Sequence, residues 1–274
     1  TYTVKDADGD TTTANLTVTV TGAKDGATVE TPNAEGADNT VYEAGLDNGG
    51  SDAASDSETA TNTFDISATD GIANVVIGGT TFTLAQLQAL NGSQTVDTGE
   101  GILTLNSYTG TSFDGTVNYT YTLKATIDND TKIGATGTDF NDTVAITVNG
   151  IGGTTASDDL VIQIVDDLPT AVNDGPFGLT EDAQSTVVSG NVTSNDTSGA
   201  DSPLAFVSWD GFTGDDLSAY GTLVQNPTTG QWSFTLDNSL AATQALTEID
   251  VKEAVYTYTV KDADGDTTTA NLTV

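Results

Sequence analysis

Residues 257–274 read TYTVKDADGDTTTANLTV, and residues 1–18 read the same, letter for letter. On either side of the acidic DADGD segment, Val, Tyr and Leu alternate with polar residues, and the strand-favouring residues Thr and Val dominate. This pattern predicts two antiparallel strands, each with one buried face, joined by a tight turn at Gly265. The segment therefore indicates an all-β fold.

The two copies lie 257 − 1 = 256 residues apart. Identity at eighteen successive positions is not a chance event, and it predicts a parent sequence that repeats with a unit near 256 residues. We expect the chain to begin within the tail of one unit and to end within the tail of the next.

The repeat unit itself resembles two related modules in tandem. GILTLNSYTGTSF from Gly101 resembles GTLVQNPTTGQWSF from Gly221, and each is followed by a YTYT segment. TVNGIGGTTASDDLVI from Thr147 resembles TVKDADGDTTTANLTV. These comparisons predict residues 1–25 as the C-terminal hairpin of a preceding repeat, residues 26–168 as one β-sandwich and residues 169–274 as the next.

Short strands and turns recur along the rest of the chain. Trp232, Phe234 and Leu236 alternate with polar residues, which predicts a half-buried strand. LAQLQAL from Leu84 has leucines at helical spacing and predicts a helix of two turns at most. Many short strands with turn signals between them favour tandem antiparallel β-sandwiches of the immunoglobulin (Ig) type.

The composition excludes several function classes. With 40 acidic residues against 6 basic ones, the net charge of −34 repels nucleic acids and anionic membranes, so neither is an expected partner. The chain has no His, Cys or Arg, and so no imidazole base, thiolate nucleophile or bidentate phosphate clamp. Paired carboxylates are the remaining means of catalysis, and no spacing singles out a pair. We therefore do not expect an enzyme.

Acidic clusters point instead to Ca²⁺. Asp6, Asp8 and Asp10 bring three carboxylates to one hairpin turn, an arrangement that a hard cation with oxygen ligands stabilises. The copy repeats them as Asp262, Asp264 and Asp266. An EF-hand loop is excluded, because its sixth and twelfth positions are Thr11 and Thr17 here. A merely polar, solvated turn is the alternative, and the residues alone leave both open.

The corresponding turn of the middle segment lacks these acids. Gly150, Gly152 and Thr154 stand where the three Asp residues should be, so no metal is expected there. Without cysteines, the chain also has no disulfide to stabilise it, and calcium would fit that role.

Two resemblances to a known family add to these patterns. Residues 26–168 resemble the repeat domain of giant RTX-type bacterial adhesins that leave the cell by type I secretion, through VYEAGLDNGG from Val41 and the closing LVIQIVDDLP. Residues 169–274 resemble the cadherin-like modules of the same adhesins. The glycine-aspartate nonapeptides of secreted β-rolls are absent, so the resemblance implies the repetitive middle of such a protein.

The segment between the two modules also resembles a cadherin linker, although Pro169 and Thr170 lengthen it. In cadherins, acids before strand F, acids after strand G and a Glu near the next strand A surround calcium. The resemblance implies that the ligands are Asp139, Asp142, Asp166, Asp167, Asn173, Asp174, Glu181 and Asp182, with Asp250 and Glu253 serving a further junction.

These inferences predict a calcium-stabilised spacer on the bacterial cell surface. Its partners would be neighbouring repeats of the same chain, and the isolated chain would be a monomer. A carbohydrate-binding or surface-binding adhesive domain is the alternative from another class. The near-identical copies argue against that alternative, because adhesive tips usually occur once.

Overall fold

The computed structural model describes residues 1–33 and 36–274, and strands dominate it. The strands are β1 (Tyr2–Lys5), β2 (Thr11–Ala14), β3 (Ala27–Glu30), β4 (Asn39–Tyr42), β5 (Thr59–Ala68), β6 (Ile72–Ile77), β7 (Thr80–Thr83), β8 (Gln94–Asp97), β9 (Gly101–Gly110), β10 (Asp114–Leu123), β11 (Asp139–Gly150), β12 (Thr155–Val165), β13 (Val187–Asn191), β14 (Ala205–Gly214), β15 (Gly221–Gln225), β16 (Gln231–Leu236), β17 (Ala254–Lys261) and β18 (Thr267–Thr273). The α-helices are α1 (Leu84–Gln88) and α2 (Ala241–Gln244). Within the described ranges, neither is long and apolar enough to cross a membrane.

Strands β3 to β12 form the middle module, a sandwich of two five-stranded sheets. The sheet orders are β3-β5-β10-β9-β8 and β4-β12-β11-β6-β7, and only β4 and β12 among these described pairs run parallel. The inward-facing side chains of both sheets, such as Phe64, Tyr119, Ile146 and Leu160, form one buried core. The helix predicted at Leu84 is confirmed as the single turn of α1.

Strands β13 to β18 form the C-terminal module, a smaller sandwich of two three-stranded sheets. The orders are β13-β16-β15 and β14-β17-β18. The alternation predicted at Trp232, Phe234 and Leu236 is confirmed, because all three face the second hydrophobic core while their neighbours point outward. The expected all-β fold of tandem antiparallel sandwiches is therefore confirmed, whereas the module boundaries stay a prediction.

One internal comparison was wrong. Tyr119 and Tyr121 of the first YTYT segment lie in β10, which pairs with β9 in the same sheet. Tyr256 and Tyr258 of the second lie in β17, in the sheet opposite β15. β15 pairs with β16, so the counterpart of β10 in the C-terminal module is β16. Alternating Tyr and Thr suits any half-buried strand, so the shared letters do not mark equivalent strands.

The other comparison agrees with the topology. β11 and β12 form the last hairpin of the middle module, and β17 and β18 form the last hairpin of the C-terminal module. The turn between β17 and β18 points toward the middle module, where Gly265 lies against Asp130. The turn between β11 and β12 lies at the opposite end of the middle module, next to the start of β3, where Gly152 approaches Asp25.

The leading hairpin, residues 1–18, stands apart from both cores. Within the described residues, β1 and β2 pair only with each other, and every residue from 1 to 26 is exposed. The apolar side chains of the hairpin, including Val4, Leu16 and Val18, are half or more exposed.

Candidate cation site at the module boundary

The end of the middle module brings two acids together. Strands β4 and β12 are parallel neighbours, and Tyr42 pairs with Val165 at their last positions. Glu43 and Asp166 directly follow these two residues, so they lie side by side at the same edge of the sheet. Glu43 opens a short 3-10 turn, which directs the chain away from the strand.

The C-terminal module places more acids opposite them. Asp201 precedes β14, and its carbonyl oxygen accepts a hydrogen bond from the Ala263 amide at 2.9 Å. This bond holds the loop before β14 against the turn between β17 and β18. That turn carries three further carboxylates, those of Asp262, Asp264 and Asp266.

The acids form two overlapping groups. Carboxylate oxygens of Glu43, Asp166 and Asp201 lie within 4.8 Å of one another, and so do those of Asp166, Asp264 and Asp266. Asp166 belongs to both groups. Glu43 is 0% exposed, Asp201 6% and Asp166 9%, so the first group is buried although it draws on both modules.

Many of these oxygens have no hydrogen-bond partner. In residues 1–33 and 36–274, the unpartnered buried oxygens include one each from Glu43, Asp201, Asp262 and Asp266, and both from Asp166 and Asp264. The ion pairs found in the same ranges lie elsewhere, at Lys124–Asp97, Lys132–Glu100 and Lys252–Asp215. Buried carboxylates without a partner are costly, so this cluster is incomplete as protein alone.

A loop of the middle module, residues 124–133, closes the cluster from one side. Its Ile127 amide donates a 2.6 Å hydrogen bond to Glu43 Oε1. The Asn129 side chain is buried, and neither of its amide atoms has a partner within the described part of the chain. A Cβ at Gly265, whose φ is +126°, would overlap Asp130 Oδ2. Only glycine therefore allows the C-terminal turn to approach this loop so closely.

Burial and mutual repulsion shift the pKa values of these carboxyls upward. Burial, together with the charges of Asp201 and Asp166, raises the pKa of Glu43 to about 9. Burial and the nearby Asp266, Asp264 and Asp201 raise the pKa of Asp166 to about 8. The pKa values of Asp262, at about 7, and of Asp201 are raised for the same reason. Without a cation, each of these carboxyls therefore takes up a proton more readily than in water, because burial and its acidic neighbours disfavour the ionised form.

Asp167, Asn173 and Asp174 secure the linker. Asp167 accepts two hydrogen bonds from Ser51, from its amide at 2.7 Å and from its hydroxyl at 2.6 Å. Asn173 Oδ1 accepts from the Asn271 amide. The carboxylate of Asp174 lies 3.2 Å from the hydroxyl of Tyr258, and burial raises its pKa to about 6. The structure does not bring these three side chains into either carboxylate group.

The other predicted ligands also lie outside the two groups. In the middle module, Asp142 accepts hydrogen bonds from Tyr121 and Thr98, and Asp139 accepts one from Gln163. The remaining four, Glu181, Asp182, Asp250 and Glu253, lie toward the far end of the C-terminal module, away from the boundary. The resemblance to a cadherin linker grouped Asp139, Asp142, Glu181 and Asp182 around this linker. Asp139 pairs with Val165 and so begins β11 at the same edge as Asp166, but no oxygen of these four residues belongs to either carboxylate group, and their role as ligands stays a prediction.

The leading hairpin supplies a third group in a different setting. Oxygens of Asp6, Asp8 and Asp10 lie within 4.8 Å of one another, but all three residues are exposed. A hydrogen bond with Asp8 and bonds from the backbone lower the pKa of Asp6, whereas burial raises that of its copy Asp262. The same sequence therefore gives opposite shifts, and the contacts of the C-terminal turn cause the difference.

Sequence reasoning missed Glu43, Asn129, Asp130 and Asp201. In the sequence alone they resemble solvated surface residues, because they belong to three separate loops, none of which completes a ligand pattern. One signal was present for Glu43, which directly follows a short strand, as Asp166 does. The parallel pairing of those strands was not predicted.

Comparison with known proteins agrees with the fold of the second half. Residues 166–274 match a family model described as bacterial Ig domain. This part of the chain is similar to bacterial Ig domains. The match supports an Ig-like module and does not extend to residues before 166. No curated protein matches the chain.

Solved structures with some similarity include cadherin ectodomains. Mouse clustered PcdhgC3 EC1-3 is 13% identical over 90% of this chain and 67% of that chain, with a TM-score of 0.28. Human CDH23 EC21-23 is 13% identical over 77% and 73%, with a TM-score of 0.23. The chain spans half or less of several others, such as the protocadherin gammaB7 EC3-6 structure. TM-scores this low establish no common fold.

Proposed function

We propose that this chain is a non-enzymatic, calcium-stabilised spacer from an extracellular adhesin of the bacterial surface, and that Ca²⁺ joins its two modules. One observation carries the proposal: Glu43, Asp166 and Asp201, drawn from both sides of the boundary, bury carboxyl groups within 4.8 Å of one another, and none of the ion pairs found in residues 1–33 and 36–274 involves them. The Ig-like character of residues 166–274 supports the extracellular setting.

The ligand chemistry favours Ca²⁺ over other metals. All the converging groups are carboxylate or amide oxygens, which hard cations prefer, and the chain has no Cys or His to select a transition metal. Glu43, Asp166 and Asp201 would hold one ion. Asp166, Asp264 and Asp266 would hold a second. Asp166 would bridge the two, and Asn129 offers a further oxygen.

Because each ion would bind residues from both modules, it would also restrict the motion of one module relative to the other. Linked domains hinge by default when the interface between them is small. Here an ion would attract the linker, the middle module and the C-terminal turn at once, and so would fix the angle between the modules. Extracellular sites of this kind bind with Kd on the order of 10⁻⁴ to 10⁻³ M. At calcium a hundredfold above Kd, each site would add about 2.7 kcal/mol to the free energy of unfolding.

Calorimetry tests the proposal. Thermal unfolding of the whole chain is recorded in EDTA, in millimolar Ca²⁺, and in Mg²⁺ at the same ionic strength. We expect Ca²⁺ to raise the midpoint clearly above both other conditions, because Mg²⁺ keeps its water and demands a stricter geometry. Equal midpoints in EDTA and Ca²⁺ would refute the metal-dependent part of the proposal.

A second candidate function rests on a cavity of about 520 Å³ at the far end of the C-terminal module. Phe177, Leu217, Tyr220 and Leu246 line it, beside acids such as Glu181. Such a cavity could accept part of a ligand from another surface. A glycan array on the isolated chain, with the variant Leu246→Trp to fill the cavity, distinguishes this adhesive function from a spacer. Specific binding lost in the variant supports adhesion.

A further inference from the structure

The leading hairpin exposes a face that its exact copy buries. Tyr2, Val4, Leu16 and Val18 are 54%, 50%, 74% and 76% exposed. Their counterparts 256 positions later, Tyr258, Val260, Leu272 and Val274, are 0%, 0%, 0% and 9% exposed. The leading hairpin thus carries the same apolar side chains that residues 257–274 contribute to the core of the C-terminal module.

The two hairpins also share one register. Tyr2 pairs with Ala14 in the first, and Tyr258 pairs with Ala270 in the second. The leading hairpin is therefore already formed in the shape that the core of the C-terminal module accepts. Binding it would require little further ordering, which lowers the entropic cost of association.

We propose that residues 1–18 of one molecule can replace residues 257–274 in a second copy of this chain, joining the two head to tail. In the second copy, β17 pairs with β14 so that Thr259 lies opposite Ser208. The incoming Thr3 would lie opposite the same Ser208. Tyr2 would bring its hydroxyl near the Val172 and Val192 carbonyls, which now lie 3.1 and 3.2 Å from the Tyr258 hydroxyl.

The leading hairpin cannot reach the C-terminal module of its own molecule. It joins the middle module at the start of β3, whereas the C-terminal module begins at the opposite end. Strands such as β10, with 10 residues, separate these ends by about 33 Å. The segment 19–26 spans at most about 28 Å, which is less than this separation. To replace residues 257–274, the hairpin would also have to lie along the whole C-terminal module, so the distance to be spanned is greater still. The acceptor must therefore be another molecule.

The molecule's own hairpin competes for the same place. Residues 257–274 follow their module directly, so their effective concentration exceeds that of a hairpin on another molecule. At ordinary concentrations we therefore expect the unaltered chain to be monomeric. Exchange becomes favourable when the C-terminal hairpin is weakened. Because each molecule carries its donor at one end and its acceptor at the other, repeated exchange joins molecules head to tail.

Matched substitutions in the two copies test the proposal. Leu272→Asp introduces a charge into the core and weakens the chain's own hairpin, while its leading hairpin remains intact. We expect the weight-average mass of this variant, measured by sedimentation, to rise with concentration to about twofold or more. Leu16→Asp alone should remain monomeric, and the double variant Leu16→Asp/Leu272→Asp should lose the association.

Cross-linking gives a second readout that does not depend on a destabilised variant. The chain has no cysteine, so Thr3→Cys on one molecule and Ser208→Cys on another form the only possible mixed disulfide. After the two molecules are unfolded and refolded together at high concentration, we expect this disulfide to form. Thr3→Cys with Val224→Cys, placed in the opposite sheet, is the control.

The outcomes separate clearly. Association that depends on Leu16, together with a disulfide specific to the Ser208→Cys variant, supports the exchange. Association that persists in the double variant, a monomeric Leu272→Asp variant, or equal cross-linking to the Val224→Cys control would each overturn it. None of these measurements requires calcium. A failure of the exchange proposal would therefore leave the calcium proposal unaffected, and a failure of the calcium proposal would leave the exchange proposal unaffected.

Discussion

A carboxylate oxygen of Asp166 lies within 4.8 Å of one from Asp266, although 100 positions separate the two residues in the sequence. Asp166 directly follows the last strand of the middle module, and Asp266 ends the turn between β17 and β18. This approach places like charges across the boundary where the two modules meet. Repulsion would push the modules apart in the absence of a cation, and attraction to a shared ion would hold them together.

Glu43→Gln should therefore have opposite effects with and without calcium. In EDTA near neutral pH, Glu43 must take up a proton to be buried, whereas the glutamine of the variant is uncharged from the start, and we expect the free energy of unfolding to rise by on the order of 1–3 kcal/mol. In calcium the same change removes a ligand, so the stabilisation by calcium should shrink. Denaturant titrations in both conditions measure the difference. Glu248→Gln, at an exposed position, is the control; a calcium-induced gain in stability that is as large in Glu43→Gln as in the control would argue against a shared ion.

The calcium-free chain should become more stable as the pH falls. Carboxyls with raised pKa bind protons more tightly in the folded state than in the unfolded state, where values near 4 apply. The folded state therefore gains stability as the pH drops from about 9, the pKa of Glu43, toward about 4. Thermal midpoints in EDTA measured across this window check the sign. In Glu43→Gln the gain should be smaller, and a midpoint that falls steadily from about pH 8 to about pH 5 would contradict the assigned burial.

Asp264 and Asp8 offer a matched pair for calcium affinity. Both stand at the centre of KDADGD, but only Asp264 lies beside Asp166. We expect Asp264→Asn to weaken calcium binding by about tenfold or more, and Asp8→Asn to leave the tightest site unchanged. Isothermal titration calorimetry measures both. Equal losses would mean that the turn binds calcium by itself, without the middle module.

Gly152 is an unsuitable control for this comparison. It stands in the corresponding turn of the middle module, and a Cβ there would overlap Asp70 Oδ2. The Gly152 amide also donates a hydrogen bond to the Asp70 carboxylate. A substitution at Gly152 would therefore disturb the turn itself and obscure any effect on calcium.

Amide hydrogen exchange should distinguish the two copies of the hairpin. Their intrinsic exchange rates are equal because their sequences are identical. Thr259 to Thr273 lie in a packed sheet, so we expect strong protection there and near-intrinsic exchange from Thr3 to Val18. NMR resolves the copies, which peptides of equal mass would not. Equal protection in a monomer would show that the leading hairpin packs against the module that follows it.

The fold was largely predictable because local patterns determine it. Alternation in β16, β17 and β12 marked the buried faces, and the leucines from Leu84 marked α1. The equivalence of the two YTYT segments failed, because alternation shows that a strand is half-buried but not which sheet contains it. Pairing between distant strands depends on the whole core, which no short segment encodes.

The candidate site was only partly predictable. Asp262, Asp264 and Asp266 were predicted because they cluster in the sequence, and Asp166 was predicted through the resemblance to a cadherin linker. Asp201 was missed because it meets them only through its loop's hydrogen bond to Ala263. Clusters of acids in sequence identify single turns, whereas a site between modules also draws isolated acids from separate loops.

A crystal structure of the chain grown with calcium, with anomalous data that identify the ions, tests the central claim most directly. We predict an ion between Glu43, Asp166 and Asp201, and a second bound by Asp166, Asp264 and Asp266. Carboxylate oxygens should lie about 2.3–2.6 Å from each ion. Calcium found only at the exposed Asp6–Asp10 turn, or a boundary in which Asp166 contacts no ion at saturating calcium, would contradict the account.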